Sequence, residues 1–509
     1  MLLERLKEGR KLNSAILCVE AEEELFRLSQ KAFAASAFSQ SSFTGSLTDG
    51  KSIALVRETS PENLCAFVRK TWGERLFRRV EPVRLTGGWQ LYPRLYEDME
   101  TALNREIAVE WGNAMTLIRL GRLYSRNLIR NLALLGETDA SADAGSLGFG
   151  NAPVLALGAG PSLDFTMDEF ARLSGGEIPG PGLRPFKIIC ADTCLRALVE
   201  REIQPDLVVI LESQHWNLRA FTGLKNREID SAPDLSSLPA SLRVLGGKRY
   251  FYVTHWTKLR LLERLEKEGL LSETFPPLGS VGLNTVALAL RTGNGPVLTA
   301  GIDFSYTMDA LHARSTPGHG DLLNRQNRFR SLFPTNATFR DGTFAAVSKT
   351  GGRVRSDPAM RNYRNLFESE FAHNPRLLDI TGTGLPLGLK AVSPDEAFAI
   401  LNQNGKAPSS DPPQKESSPK EKFMPEKIAG FIRRETDYLT NLKNMLTGTI
   451  PPDPVRLEEL LDKCDYLWAH FPECAGAGGS RPPATDLSFL KRVRTEIEPF
   501  EKCWKQGGR

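Results

Sequence analysis

The middle of the chain alternates short apolar runs with segments long enough to form helices, between about residues 151 and 400. The apolar runs cover residues 154–157, 187–190, 207–211, 250–253 and 297–300. Runs of four or five residues without polar alternation are typical of strands that are buried on both faces. The helix-length spacing between them indicates βαβ units, so the pattern predicts an α/β domain with a mostly parallel central sheet.

The pattern changes on both sides of this region and predicts three further parts of the chain. Residues 1–140 combine helical periodicity with strand-like stretches such as 52–56, which predicts an N-terminal α/β domain. Residues 428–509 contain amphipathic stretches at 428–470 and 485–503, which predict a C-terminal helical domain. Residues 404–427 hold five prolines among Ser, Lys and Glu, and this composition predicts a disordered linker after a central domain at 151–400.

The amino-acid composition excludes some classes of protein. The chain has 509 residues, of which 25% are charged, and its formal net charge is +4. These values exclude a mostly disordered chain and give no sign of a nucleic-acid partner. Its seven cysteines form no CxxC pair, so no zinc or other metal site is indicated. Neither a signal peptide nor an apolar stretch of about 18 residues is present, so we expect a cytoplasmic protein without membrane insertion.

Polar or glycine-rich residues follow every apolar run, at the strand ends where ligands bind in open α/β sheets. The first run leads into Gly158, Gly160, Pro161 and Ser162. Such a turn can either present the free N–H groups of a helix start to a phosphate or serve only to connect a strand and a helix. The later runs lead into Asp192 with Thr193, then Glu212, and finally Asp303.

Further candidate residues follow the same logic. The small residues around Gly282, Asn284 and Thr285 predict a second helix start that is open to an anion, although close helix–sheet packing would need the same residues. His312 lies after the last run, where an imidazole could act as a general base or simply be a solvated loop residue. Arg355 could bind a carboxylate or phosphate, or belong to a charged hairpin surface.

Several segments in this order resemble the bacterial motility-associated factor (Maf) family, whose central domain is shared with MptE-like 6-hydroxymethylpterin diphosphokinases. The matching segments are 154–163, Cys190-Ala191-Asp192-Thr193, 282–284, Gly301-Ile302-Asp303-Phe304, Gly351-Gly352 and Thr381-Gly382-Thr383-Gly384. Upstream, Tyr124-Ser125-Arg126-Asn127 resembles the segment that precedes this domain in the family. The resemblance covers about residues 120–395.

The resemblance implies a Rossmann-like catalytic domain similar to that of bacterial sialyltransferases. It also implies a glycosyltransferase of the bacterial flagellum and motility, which moves a nonulosonic acid of the pseudaminic or legionaminic type from a CMP donor to Ser or Thr of flagellin. CMP would lie between the first loop, Asp192 and residues 279–285, and no cofactor would be required. His312 would be the base, Asp303 would hold the local loop, and Arg314 or Arg355 would pair with the donor carboxylate.

Two other functions stay open at this point. An MptE-like enzyme would transfer pyrophosphate from ATP to 6-hydroxymethylpterin, with Mg²⁺ held by Asp192, Glu212 and Asp303. A flagellin-binding chaperone would keep the fold without catalysis. Glu212 also departs from the family, which usually has Asp at this strand end, so the ligand position there differs by one methylene.

Overall fold

A computed structural model describes residues 15–34, 39–40, 46–48, 53–72, 77–84, 88–137, 139–307, 309–329, 338–403, 423–451, 453–475 and 481–507. The chain forms two compact units. The first comprises Met1–Arg122, Pro454–Leu461 and Asp465–Glu496, and the second comprises Leu123–Asp453, Asp462–Cys464 and Ile497–Arg509. Most of the predicted linker, residues 404–422, lies outside the described residues, and the four predicted domain boundaries remain predictions.

The first unit contains a four-stranded sheet. Its strands are β1 (Ile16–Glu20), β2 (Ser39–Gln40), β3 (Ser46–Thr48) and β4 (Ile53–Arg57), in the order β1-β4-β3-β2. Its helices are α1 (Glu23–Ala34), α2 (Pro61–Thr71), α3 (Gly88–Leu91) and the start of α4 (Pro93–Leu135). Helix α2 begins after Ser60, whose hydroxyl accepts a hydrogen bond from the Asn63 amide. The mixture of strands and helices that we expected in the N-terminal part is therefore present.

The second unit is built on a ten-stranded sheet in which every pairing is parallel. Its strands are β5 (Ser141–Asp143), β6 (Val154–Leu157), β7 (Lys187–Ala191), β8 (Leu207–Ile210), β9 (Ser231–Pro233), β10 (Arg249–Thr254), β11 (Glu273–Phe275), β12 (Val297–Ala300), β15 (Leu377–Ile380) and β16 (Lys390–Val392). The five apolar runs became β6, β7, β8, β10 and β12. The predicted α/β fold with a parallel central sheet is confirmed.

The strand order defines where a crevice is expected at the carboxyl edge of this sheet. The order is β11-β10-β9-β8-β7-β6-β12-β15-β16, with β5 beside β10. From β6 the chain builds towards β11 and then returns to place β12 on the other side of β6. The order therefore reverses between β6 and β12, which is where open α/β sheets bind ligands at the carboxyl ends of their strands. A separate antiparallel hairpin, β13 (Phe344–Val347) and β14 (Arg353–Ser356), follows β12.

Helices cover this sheet. They are α5 (Ser162–Leu173), α6 (Asp192–Val199), α7 (Arg260–Lys267), α8 (Val281–Arg291), α9 (Pro317–Arg325), α10 (Pro358–Phe371) and α11 (Pro394–Asn402). Helix α8 is apolar on almost every side, and it packs across β6, β7, β8 and β12. Leu283, Val286 and Leu288 belong to a core cluster of this unit. Because α8 follows β11 and leads into β12, its first turn lies at the carboxyl edge of the sheet.

The last part of the chain is helical, as its amphipathic pattern predicts. It forms α12 (Pro425–Leu446), α13 (Pro454–Lys463) and α14 (Leu487–Gly507). Within the second unit, Arg264 on α7 donates two hydrogen bonds of 2.7 Å to the buried carboxylate of Glu435 on α12. Such a two-point contact fixes the orientation of both side chains. In the described part of the chain, no helix is both long enough and apolar enough to cross a bilayer.

Candidate functional site

The first glycine-rich loop is closed by an acid from the neighbouring strand. Ser162, the first residue of α5, donates its amide to Asp303 Oδ2 at 2.7 Å and its hydroxyl to Asp303 Oδ1 at 2.5 Å. Pro161 precedes it with a helical φ of −57°. The carboxylate thus occupies the helix start, where one of the two interpretations of the sequence places a phosphate. Asp303 links the end of β12 to this loop, and its role in catalysis remains a prediction.

The two glycines of this loop allow close contact between β6 and β12. A Cβ atom on Gly158 would lie 2.4 Å from the Gly301 carbonyl oxygen, and one on Gly160 would lie 2.6 Å from Asp303 Cγ. Their amides donate to Ala300 and Gly301 at 2.9 and 2.8 Å. Of the two interpretations that the sequence left open, the structure shows close packing of protein against protein at Gly158 and Gly160.

A buried lysine lies beside Asp303. Lys349, in the turn of the β13–β14 hairpin, donates to Asp379 Oδ1 at 2.6 Å, and its side chain is only 6% exposed. Burial raises the pKa of Asp303 and brings that of Asp379 to about 6, while the positive charge of Lys349 opposes both shifts. Neither Lys349 nor Asp379 was among the predicted site residues. The available signal was a single acid inside the apolar run 377–380.

His312 lies close enough to Asp303 for the two charges to interact. A Cβ atom on Gly318 would lie 3.1 Å from His312 Nδ1, so the imidazole packs against the start of α9. Burial lowers the pKa of His312, and the negative charge of Asp303 opposes that shift. A lowered pKa keeps the ring neutral at physiological pH, and only a neutral imidazole can accept a proton. The predicted role as base remains a prediction.

The two candidate arginines already bind protein groups. Arg314 forms an ion pair of 2.7 Å with Asp168 and a longer one of 3.4 Å with Asp164. Arg355 donates to the carbonyl oxygens of Thr338 and Thr343 at 2.9 and 2.8 Å, within the hairpin region. Either guanidinium would have to exchange these partners before it could bind a donor carboxylate.

The start of helix α8 differs from that of α5 because no acid fills it. Ser280 is the N-cap residue but makes no side-chain cap, and the first turn contains no acidic residue. Gly279 adopts a φ of +70°, which suits glycine, and Gly282 lies beside Ile302 of the loop after β12. In the described part of the chain, no protein acceptor is recorded for the amides of Val281, Gly282 and Leu283. Val281 is half-buried, whereas Gly282 and Leu283 are buried. Free N–H groups at a helix start attract anions.

Asn284 and Thr285, the other two residues expected at this helix start, lie deeper. Asn284 is 2% exposed and donates to the Tyr252 hydroxyl at 3.1 Å. Its amide oxygen finds no hydrogen-bond partner among the described residues. Thr285 turns back and donates to the carbonyl of Val281 at 2.8 Å. Asn284 therefore keeps an unused acceptor below the helix start, whereas the Thr285 hydroxyl is occupied.

The neighbouring strand ends supply two acids. Asp192 begins α6, is 1% exposed and accepts from the Thr193 hydroxyl at 3.0 Å. Glu212 follows β8, is exposed and accepts from the Gln214 amide at 2.8 Å. Burial raises the pKa of Asp192 to about 6, and the charge of Glu212 adds to the shift, against the hydrogen bonds of Thr193. The structure thus brings most of the predicted residues to one edge of the sheet.

Replacing Asp192 with Asn should change how stability depends on pH. Between about pH 4 and pH 6 the native state keeps the Asp192 proton while the unfolded chain loses it, so the wild type loses stability as the pH rises. Asp192→Asn removes this loss, so it should be more stable than the wild type by about 3 kcal/mol above pH 6. The two proteins should converge near pH 3. Urea unfolding at several pH values measures this, and a constant difference from pH 3 to 8 would contradict it.

Two asparagines fasten the end of α4 to the loops at this edge. Asn127 donates to the carbonyls of Ser213 and Ser236 at 3.0 and 3.1 Å, and Asn131 donates to those of Leu235 and Ser237 at 2.9 and 2.8 Å. They are spaced i, i+4 and therefore lie on one face of the helix. Residues 124–127 belong to a segment that resembles the Maf family, and no role was predicted for them. Their role here is to hold α4 over the ends of β8 and β9.

Asn127→Ala should therefore destabilise the second unit. It removes two buried hydrogen bonds and leaves their carbonyl acceptors without this donor, at a cost of about 2–3 kcal/mol. Asn402→Ala is the matched control, because Asn402 donates only to Phe398 within its own helix at 2.8 Å. The control should lose less than about 1 kcal/mol. Chemical denaturation of both variants tests the comparison, and equal losses would show that the contacts of Asn127 have no special weight.

The chain is similar to known proteins in sequence and in structure. Residues 126–309 match the family model of the MptE-like 6-hydroxymethylpterin diphosphokinases. An uncharacterised protein of Treponema pallidum (strain Nichols) is 28% identical over 441 residues, which are 84% of this chain and 74% of that protein. A Maf glycosyltransferase from Magnetospirillum magneticum AMB-1 is similar over 97% of this chain and 73% of that one, with 14% identity and a TM-score of 0.47.

The family model confirms one part of the resemblance stated above. The chain contains an MptE-like domain, and that domain includes strands β5 to β12 and the crevice between β6 and β12. A Maf glycosyltransferase is among the solved structures to which the chain is similar. Asp192, Glu212, Asn284 and Asp303 all lie within the matched residues, whereas His312, Arg314 and Arg355 follow them.

Proposed function

We propose that the chain is a glycosyltransferase that takes a nonulosonic acid from a CMP donor and attaches it to Ser or Thr of flagellin. The observation that carries the proposal is the open start of α8 at the crevice, beside the loop that leads to Asp303. Its free amides suit a phosphate, and the unused acceptor of Asn284 lies one turn below. The motifs that resemble the Maf family and the MptE-like domain support the same class of nucleotide ligand.

In this proposal each chemical step of the transfer is assigned to a group of the protein. The bond between the anomeric carbon and the donor phosphate breaks, and the α8 amides stabilise the charge on the departing CMP. The acceptor hydroxyl attacks the anomeric carbon and gives its proton to neutral His312. The negative charge of Asp303 favours the imidazolium that results. The donor carboxylate would bind Arg314 or Arg355 after either guanidinium leaves its present partner.

The MptE-like match keeps a pyrophosphate transfer to 6-hydroxymethylpterin as a second candidate. In that reaction Mg²⁺ would need carboxylates at the strand ends. Both oxygens of Asp303 already accept hydrogen bonds from Ser162, so a metal ion there would have to share the carboxylate with that loop. Asp192 and Glu212 accept hydrogen bonds from Thr193 and Gln214. Protein groups thus already contact all three carboxylates that this candidate needs.

One set of reactions distinguishes the candidates. The purified chain is incubated with CMP-nonulosonate and flagellin, and free CMP and the intact mass of flagellin are measured. A flagellin mass increase by one sugar, together with CMP release, is the expected result. Conversion of 6-hydroxymethylpterin with ATP and Mg²⁺, without a mass increase, would favour the second candidate. Binding of flagellin without either reaction would favour a chaperone.

A further inference from the structure

Three aromatic side chains outside the predicted site residues, Tyr124, Trp256 and Tyr363, lie at the carboxyl edge of the sheet. Tyr124 lies one turn before Asn127, so the asparagine contacts of α4 place it over the ends of β8 and β9. Its ring is 5.2 Å from that of Trp256, which follows β10, with 59° between the planes. Both side chains are half-buried. They form one aromatic surface at the carboxyl edge of the sheet.

Tyr363 on α10 connects this region to the start of α8. A Cβ atom on Gly279 would lie 3.0 Å from Tyr363 Cε1. The Tyr363 ring therefore packs against the residue that immediately precedes the N-cap of α8. That adjacency suits a ligand that carries both a ring and a phosphate.

Two buried polar atoms in this region make no hydrogen bond with the described residues. Trp256 Nε1 and Ser213 Oγ are buried and have no hydrogen-bond partner among the described residues. Buried polar atoms without partners are rare in native proteins and call for a ligand or water. Glu212, which is exposed, is near enough for its charge to act on both tyrosines. Burial is the larger cause and the charge of Glu212 adds to it. Together they raise the pKa of Tyr124 to about 12, and both also raise the pKa of Tyr363.

We infer that Tyr124, Trp256, Tyr363 and Glu212 form the binding site for a planar heterocycle that carries an amino group. This inference rests on the proposed function. It adds that these residues recognise the base of the nucleotide. The rings stack on the heterocycle, as aromatic side chains do with nucleobases. The Glu212 carboxylate, which only accepts, takes a hydrogen bond from the amino group.

The charge of Glu212 predicts which base is preferred. Cytosine presents an amino donor at its C4 position, whereas uracil presents a carbonyl acceptor there. A carboxylate attracts the first and repels the second, so CMP should bind more tightly than UMP. Replacing Glu212 with Gln supplies an amide that can either donate or accept. Glu212→Gln should therefore remove most of the preference without removing the stacking.

The experiment measures CMP, UMP and ribose 5-phosphate binding by calorimetry, with the full chain and four variants. Tyr124→Ala should weaken CMP binding about tenfold or more and leave ribose 5-phosphate binding unchanged. Tyr124→Phe should keep CMP binding, and Glu212→Gln should bring CMP and UMP within about threefold. Tyr438→Ala, a half-buried tyrosine on α12, is the control and should behave like the wild type. Thermal melts show that each variant is folded.

Two negative results would have different consequences for the heterocycle site and for the proposed function. If the wild type binds CMP and Tyr124→Ala binds it equally well, the heterocycle site is overturned while the proposed function survives. The same holds if Glu212→Gln keeps the full preference for CMP. If the wild type binds none of the three ligands, the proposed function fails and the inference fails with it. Quenching of Trp256 fluorescence, identified by comparison with Trp256→Phe, gives a readout that is independent of activity.

Discussion

Ser280→Asp should abolish nucleotide binding while leaving the protein folded. Ser280 is the N-cap of α8 and makes no side-chain cap in the structure. Aspartate is as good an N-cap residue as serine and also favours the helix dipole, so stability should stay the same or rise by up to about 1 kcal/mol. The same carboxylate would occupy the proposed phosphate position. Two like charges about 4 Å apart repel by about 4 kcal/mol at an effective dielectric of about 20, so affinity should fall at least about 100-fold.

Ser280→Asn is the matched control for this variant. Asparagine has the shape of aspartate and caps a helix equally well, but it carries no charge. It should lower CMP affinity by less than about tenfold. Calorimetric titration with CMP and thermal unfolding of both variants make the comparison. Full CMP binding by a folded Ser280→Asp protein would show that the phosphate does not bind at the start of α8.

Gly158→Ala should destabilise the second unit by about 3 kcal/mol or more. The new Cβ atom would lie 2.4 Å from the Gly301 carbonyl oxygen and 2.9 Å from its carbon. Both are backbone atoms, so no side-chain rotation relieves the overlap, and β6 and β12 must move apart. That movement would also disturb the contact between Ser162 and Asp303. Denaturant unfolding measures the loss.

Gly180→Ala is the control for the loss of a glycine. A Cβ atom there meets nothing within 4 Å, and the residue does not need a positive φ. This variant should match the wild type or gain up to about 1 kcal/mol, because alanine restricts the unfolded chain. If Gly158→Ala were as stable as Gly180→Ala, the close approach of the two strands would not be a constraint on the sequence.

The sheet could be predicted from sequence because buried parallel strands leave a strong apolar pattern. All five runs that were selected, including 154–157 and 297–300, became strands of one sheet. The other five strands of this sheet, β5, β9, β11, β15 and β16, were missed. Four of them are only three residues long and contain polar residues, as in Ser231–Pro233, and β15 contains Asp379. Pairing with longer neighbours, which is a tertiary effect, makes such short segments into strands.

The site was only partly predictable, for a different reason. A glycine is needed wherever a Cβ atom would overlap something, and the sequence does not say whether that neighbour is a ligand or the protein itself. At Gly158 and Gly160 the neighbour is the loop after β12. Lys349 was missed because it comes from a hairpin 46 residues after Asp303, and only the fold brings their charges together.

Two carboxyl groups at the crevice bind protons more tightly than an ordinary aspartate does. Asp192 and Asp379 both have a pKa of about 6, so each is partly protonated close to neutrality. An anion that arrived beside Asp192 would raise its affinity for a proton further, and the complex would draw that proton from solution. The heat released on mixing would then depend on the ionisation enthalpy of the buffer. Through these two acids, occupancy of the crevice becomes sensitive to the acidity of its surroundings.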